Sequence, residues 1–140
     1  MVIQRWQTLF LLIAVALMGI FCCTPWATLA AEGSIEATPI FLAHAPVLLV
    51  LNIVIAALLF ISIFLFKNLR RQMTVTLLSM ILICASLVTC GLTLYVAFPG
   101  ASLIWTGGVL LLLVALVCVV FAYRFMKKDR KLLSSYDRLR

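Results

Sequence analysis

The lysines and arginines of this chain fall on alternate connections between four apolar blocks, and that placement restricts the fold more than any other feature. Arg5 precedes the first block. Lys67, Arg70 and Arg71 separate the second from the third. Arg124, Lys127, Lys128, Arg130, Lys131, Arg138 and Arg140 stand at or beyond the end of the fourth. The remaining two connections hold no cation, and Glu32 and Glu36 are their only charges. Cations near the ends of membrane spans are retained on the cytoplasmic side, so this alternation predicts four spans with both termini inside the cell.

The composition fits that solvent. Hydrophobic residues make up 66% of the chain and charged residues 11%, against about 45–50% and about 25% in soluble domains. Folded in water, such blocks leave large apolar faces exposed. A span requires about 20 mostly apolar residues, and blocks near 7–24, 43–66, 73–97 and 102–126 meet that length. The expectation is a single membrane domain over residues 1–140, all-α, with a basic amphipathic cytoplasmic tail near 127–140. The net charge of +7 would suggest nucleic acid in a soluble protein. Here it lies beside a membrane, so anionic lipid headgroups are the first expected partner and nucleic acid is not expected.

Arg5, the apolar run behind it and Thr28-Leu29-Ala30 before Ala31 imitate a cleavable secretion signal. The run from about Leu9 to Cys23 is long for a signal core of about 7–15 residues. Pro25-Trp26 reads instead as an interfacial stop with the indole at headgroup level. The first span is therefore expected to be retained.

Proline ends the first helix near Thr24-Pro25, since it lacks an N–H and restricts its predecessor. Residues 25–42 read as the longest loop, irregular and on the outer surface. Pro46 suits the first turn of helix two. Lys67 to Gln72 form a tight inner turn, Pro99-Gly100 a short outer one, and helix four begins near Ser102. Trp6, Trp26, Phe66, Tyr95, Trp105 and Tyr123 suit the aromatic belts at the two interfaces. Phe125, Leu132, Tyr136 and Leu139 share one face of a helical tail.

Helices in lipid associate through close packing and polar contacts rather than hydrophobic drive. Small residues recur at seam spacing: Ala16, Gly19 and Cys23 in helix one; Ala45, Asn52, Ala56 and Leu59 in helix two; Ser79, Ser86, Cys90 and Thr93 in helix three; Gly108, Ala115, Cys118 and Ala122 in helix four. A seven-residue repeat favours a left-handed bundle of antiparallel neighbours. These faces are expected inward, with Leu, Ile and Val facing lipid. Asn52, the deepest strongly polar side chain, is expected to hydrogen-bond across to another helix.

No acid or base lies in the body of a span, where coupled carriers usually need an ionisable group. His44 with Glu32 and Glu36 matches no ligand spacing, so no metal site is expected. The five cysteines (Cys22, Cys23, Cys84, Cys90 and Cys118) show no C-x-x-C spacing. A membrane thiol-redox enzyme needs a reactive pair near the surface. Cys22 and Cys23 are adjacent, and Cys90 lies deeper, so this is a remote alternative. No phosphate loop, hydrolase set or zinc helix is present. No catalytic residue and no cofactor is expected.

Three segments carry a resemblance: Gln4-Arg5-x-Gln7-Thr8 at the start, Lys67-Asn68-x-Arg70-Arg71-Gln72 after the second block, and the close, Lys127-Lys128-Asp129-x-Lys131-Leu132-x-x-Ser135-x-Asp137-Arg138-Leu139-Arg140. Together they resemble domain-of-unknown-function family 4293, four-pass membrane proteins of Bacteroidota. Arg130 and Ser134 depart from the family pattern, which has an acid at the first and a base at the second. The resemblance implies the four-span topology, retention of the first span and a bacterial cytoplasmic (inner) membrane. It carries no catalytic site.

The function expected is that of a non-enzymatic scaffold or accessory component with a basic cytoplasmic face. Arg70, Arg71, Lys127, Lys128, Arg130 and Lys131 are the expected contacts to lipid or to a membrane or cytoplasmic protein partner. Asn52, Ser79, Ser86, Gly108 and Ala115 are the expected packing residues. A small-molecule carrier or channel is the alternative, and a continuous polar path would distinguish it.

Overall fold

A computed structural model describes residues 2–30, 37–97, 102–104 and 107–138, with side chains over 6–28, 39–96 and 107–135. Four helices carry the chain: α1 (Val2–Cys23), α2 (Pro46–Phe64), α3 (Leu69–Ala97) and α4 (Gly107–Arg138). Each is long and apolar enough to cross a membrane. Every helix packs against its sequence neighbours, and α1 closes the ring on α4. The chain therefore runs up and down, with antiparallel neighbours throughout.

Local chemistry sets the helix ends. Thr24 donates from its amide (3.0 Å) and its hydroxyl (3.1 Å) to the Ile20 carbonyl, and Pro25 prevents continuation. Leu42–His44 form a 3-10 turn ahead of α2, and Pro46 occupies its first turn. Helix two thus starts a little later than the apolar pattern suggests. A second 3-10 turn, Leu65–Lys67, leads through Asn68 into α3. The expected turn at Pro99-Gly100 and the belt residue Trp105 lie outside the described residues.

Each helix presents one regular stripe inward, at alternating steps of four and three. In α1 it is Gln7, Leu11, Ala14, Met18 and Phe21; in α2, Leu48, Asn52, Ile55, Leu59 and Ser62. In α3 it is Gln72, Thr76, Ser79, Ile83, Ser86 and Cys90; in α4, Gly108, Leu112, Ala115, Val119, Ala122 and Met126. This is the seven-residue repeat of packed antiparallel helices. Large apolar side chains such as Val50, Ile53, Phe60, Ile81, Val88 and Leu92 are exposed around the outside. Water would not tolerate such a belt, and a lipid surround does.

Helix one corrects the sequence reading. Ala16, Gly19 and Cys23 are exposed, and the larger Leu11, Met18 and Phe21 point inward. The reason is complementarity. The facing α4 stripe supplies Gly108, Ala115 and Ala122, and small groups on one helix need large ones opposite to fill the seam.

The connection read as irregular is also corrected. It contains strands β1 (Ala27–Ala30) and β2 (Ala37–Ile40), and the residues read as the start of helix four form β3 (Ser102–Ile104). The order is β2-β1-β3, antiparallel on both sides. Ala27 pairs with Ile40, and Thr28 with Ile104. Pro39 falls on the edge strand β2, where a residue without an N–H is tolerated. Trp26 is not a lipid-facing belt residue. It is 1% exposed, and its backbone donates to Ile40 at 3.0 Å. Its backbone lies close against Gly108 at the start of α4.

Candidate functional site: the basic end of the bundle

Two polar contacts align the helices at the end opposite the sheet. Ser62 Oγ of α2 lies 2.8 Å from Thr76 Oγ1 of α3. The Gln7 side-chain amide of α1 donates to the Asp129 carboxylate of α4. The Thr76 hydroxyl donates at 2.8 Å to the Gln72 carbonyl and also approaches Met126 Sδ at 3.8 Å. The α2–α3 turn and the late turns of α4 thus share one end of the bundle, together with the start of α1.

The described cations gather there. Lys67, Arg70, Arg71, Arg124, Lys127, Lys128, Arg130 and Lys131 are all exposed. At about 3.6 residues per turn, Arg124, Lys127, Lys128 and Lys131 occupy one outward arc opposite buried Met126. The orientation of α4 is held by aromatic packing: Phe10 stacks on Phe121 and Phe125, with ring centroids 5.9 and 5.7 Å away. Phe125 is therefore engaged against α1, so the apolar stripe of the tail begins as an extension of the α1–α4 seam. Leu132 is exposed beside the cations. The side chains of Tyr136 and Arg138 and all of Leu139 lie outside the described residues.

The other residues singled out from sequence are buried. Asn52 Nδ2 donates to the Met18 carbonyl at 3.2 Å and to Cys22 Sγ at 2.8 Å, joining α2 to α1. Ser79 donates at 2.8 Å to the Thr76 carbonyl of its own helix. Gly108 lies against the backbone of Pro25 and Trp26, where an added Cβ would meet Pro25 O and Trp26 Cα at 2.7 Å. Ala115 and Ser86 are fully enclosed. The structure does not bring the packing set and the cations together. They form two regions, one interior and one at the basic end.

Gln7, Ser62, Gln72 and Thr76 are interior polar residues that sequence reasoning passed over. Extending the stripe from Asn52 by steps of three, four and three reaches Ser62, and seven residues before Ser79 stands Gln72; that spacing was the available signal.

Among the described residues no group of three His, Cys, Asp or Glu is arranged to hold a metal ion. His44 is exposed, and Glu32 and Glu36 lie outside the described residues. All five cysteines are free thiols. Cys90 is buried and Cys118 half-buried, whereas Cys22, Cys23 and Cys84 are exposed.

The family model described as "Domain of unknown function (DUF4293)" matches residues 3–139. The chain belongs to the DUF4293 family. The match runs from the first turn of α1 past the end of α4, so the DUF4293 unit takes in the sheet and all four helices but for Val2. No curated protein and no solved structure matches this DUF4293 chain.

Proposed function

We propose that this DUF4293 protein is a non-enzymatic scaffold or accessory component of a bacterial cytoplasmic membrane. Its termini and basic end face the cytoplasm, where it meets anionic lipid headgroups or a protein partner. One observation carries this reading. The cations from the α2–α3 turn and from α4 are exposed at the same end of the bundle, while the cations leave the other connections empty. Basic residues at an anionic membrane surface contribute about 1 kcal/mol each, decaying within a Debye length. Arg70, Arg71, Lys127, Lys128, Arg130 and Lys131 supply that attraction, and Arg124 extends its head toward the same surface.

The test is purification of the full chain with its bound lipids and proteins, beside a variant carrying Lys127→Gln, Lys128→Gln and Lys131→Gln. Reduced recovery of anionic lipid or partner, with the helices intact, supports the proposal. Unchanged recovery of both rejects it. Orientation is tested separately by labelling single cysteines placed at each terminus in intact cells, and ends on opposite faces would reject the topology.

A second reading, passage of a small neutral solute, is supported by the inward stripe of α3, where Gln72, Thr76, Ser79 and Ser86 are buried. Ile83 interrupts that stripe. Solute flux in proteoliposomes that rises on Ile83→Ala would favour this reading over the first.

A further inference from the structure

Independently of the role proposed above, we infer that α2 and α3 hold a buried site for one water-sized, neutral hydrogen-bonding molecule between Asn52 and Ser86. The inference begins with the α2–α3 register. Ser62 and Thr76 touch through their hydroxyls. Ten residues back along α2 stands Asn52, and ten residues onward along α3 stands Ser86. Both steps climb the bundle by about 15 Å at 1.5 Å per residue. Because the helices are antiparallel, the two side chains arrive at the same level. Both belong to the inward stripes, at 1% and 0% exposure.

The hydrogen bonding at that level is incomplete on both sides. Asn52 Nδ2 is committed to two acceptors on α1. That fixes which way the amide faces and leaves Oδ1 as an acceptor. Asn52 Oδ1 and Ser86 Oγ are buried with no hydrogen-bond partner among the described residues. Ser86 is also exceptional within its helix. Thr74, Thr76, Ser79, Thr89 and Thr93 each donate to a carbonyl of their own α3, and Ser86 does not. A buried polar atom without a partner is costly, and two of them at one level define a donor-and-acceptor pair.

The occupant is set by chemistry. It must donate to Asn52 Oδ1 and accept from the Ser86 hydroxyl, which one water does with two polar partners. Ile55 and Ile83 lie one turn toward the basic end on the same stripes, and among the described residues no charged side chain shares this level, so an ion would be left uncompensated. A larger solute would have to displace those packed side chains.

The full chain in phospholipid nanodiscs, labelled with 15N-asparagine, tests the site. The sequence has two asparagines, Asn52 and Asn68, so the side-chain amide of Asn52 is assigned by its loss in Asn52→Gln. The expected result is a dipolar cross-peak between the Asn52 amide protons and the water resonance, lost in Ser86→Val, whose branched side chain occupies the water position. Ser86→Ala, which keeps the space and removes one partner, guards against misfolding of the valine variant, and the cross-peak is expected to weaken there. Absence of the cross-peak in the native chain would overturn the inference, as would an undiminished cross-peak in both Ser86 variants. A direct Ser86-to-Asn52 bond, seen as contacts from the Ser86 methylene with no water signal, would overturn it too.

Discussion

Ser62 Oγ of α2 and Thr76 Oγ1 of α3 stand 2.8 Å apart in the interior, so a hydroxyl pair ties α2 to α3 at one level of the bundle. Hydrogen bonds between membrane helices contribute on average about 0.6 kcal/mol and at most about 1.7. A double-mutant cycle of Ser62→Ala and Thr76→Val, read by reversible unfolding in bicelles, should give a coupling energy in that range. Strict additivity would show that the hydroxyl pair contributes no coupling between the two helices.

Asn52→Leu removes the bonds to Met18 and Cys22 but also removes a buried amide oxygen. The two effects oppose each other, so the stability loss should stay within about 2 kcal/mol. Complete loss of folding would contradict this. Cys22, released from the amide and exposed toward lipid, should keep its accessibility to a membrane-permeant maleimide.

Glycine substitutions should separate close approach from mere flexibility. In Gly108→Ala the new methyl meets backbone atoms of Pro25 and Trp26, which cannot swing aside as a side chain would. Overpacking of this kind costs about 1–3 kcal/mol. Gly91→Ala meets nothing within 4 Å and should be neutral or stabilising, by up to about 1 kcal/mol from helix propensity. Thermal unfolding of the two variants in one detergent gives the comparison.

The tail should respond to salt as well as to mutation. Binding of the purified protein to an anionic-lipid probe should weaken roughly fivefold for each of Lys127, Lys128 and Lys131 neutralised, the equivalent of about 1 kcal/mol per charge. The difference between native and variant should shrink as ionic strength rises. A salt-independent difference would mean that the lysines act by packing.

The sequence revealed the four helices because their length and polarity are local properties. The inward positions of Asn52, Ser79, Ser86, Gly108 and Ala115 follow from a repeat that is likewise local. The face of α1 was hidden because small residues mark a seam only on the helix that yields space. Gly19 and Ala16 look suited to close packing, yet α4 already provides Gly108, Ala115 and Ala122, so Leu11, Met18 and Phe21 go inward instead. The sheet was hidden for another reason. Ala27–Ala30 and Ser102–Ile104 are short, have little strand preference and pair across most of the chain. Trp26 was misplaced with them, since its burial depends on a strand and a helix start that come from distant segments. The cations were the most legible part of the site, because charge placement needs no packing to be read.

The middle position of β1 has a consequence for how the molecule divides. Both the β1–β3 pairing and the α1–α4 seam join the part of the polypeptide before Asn68 to the part after it, whereas the link at Asn68 is only a brief bend. Severing the chain there should yield two helical hairpins that complement one another when co-expressed and co-purify as a unit. Failure of the fragments to recombine would show that continuity of the backbone, rather than the clasp formed by the strands, keeps the halves joined.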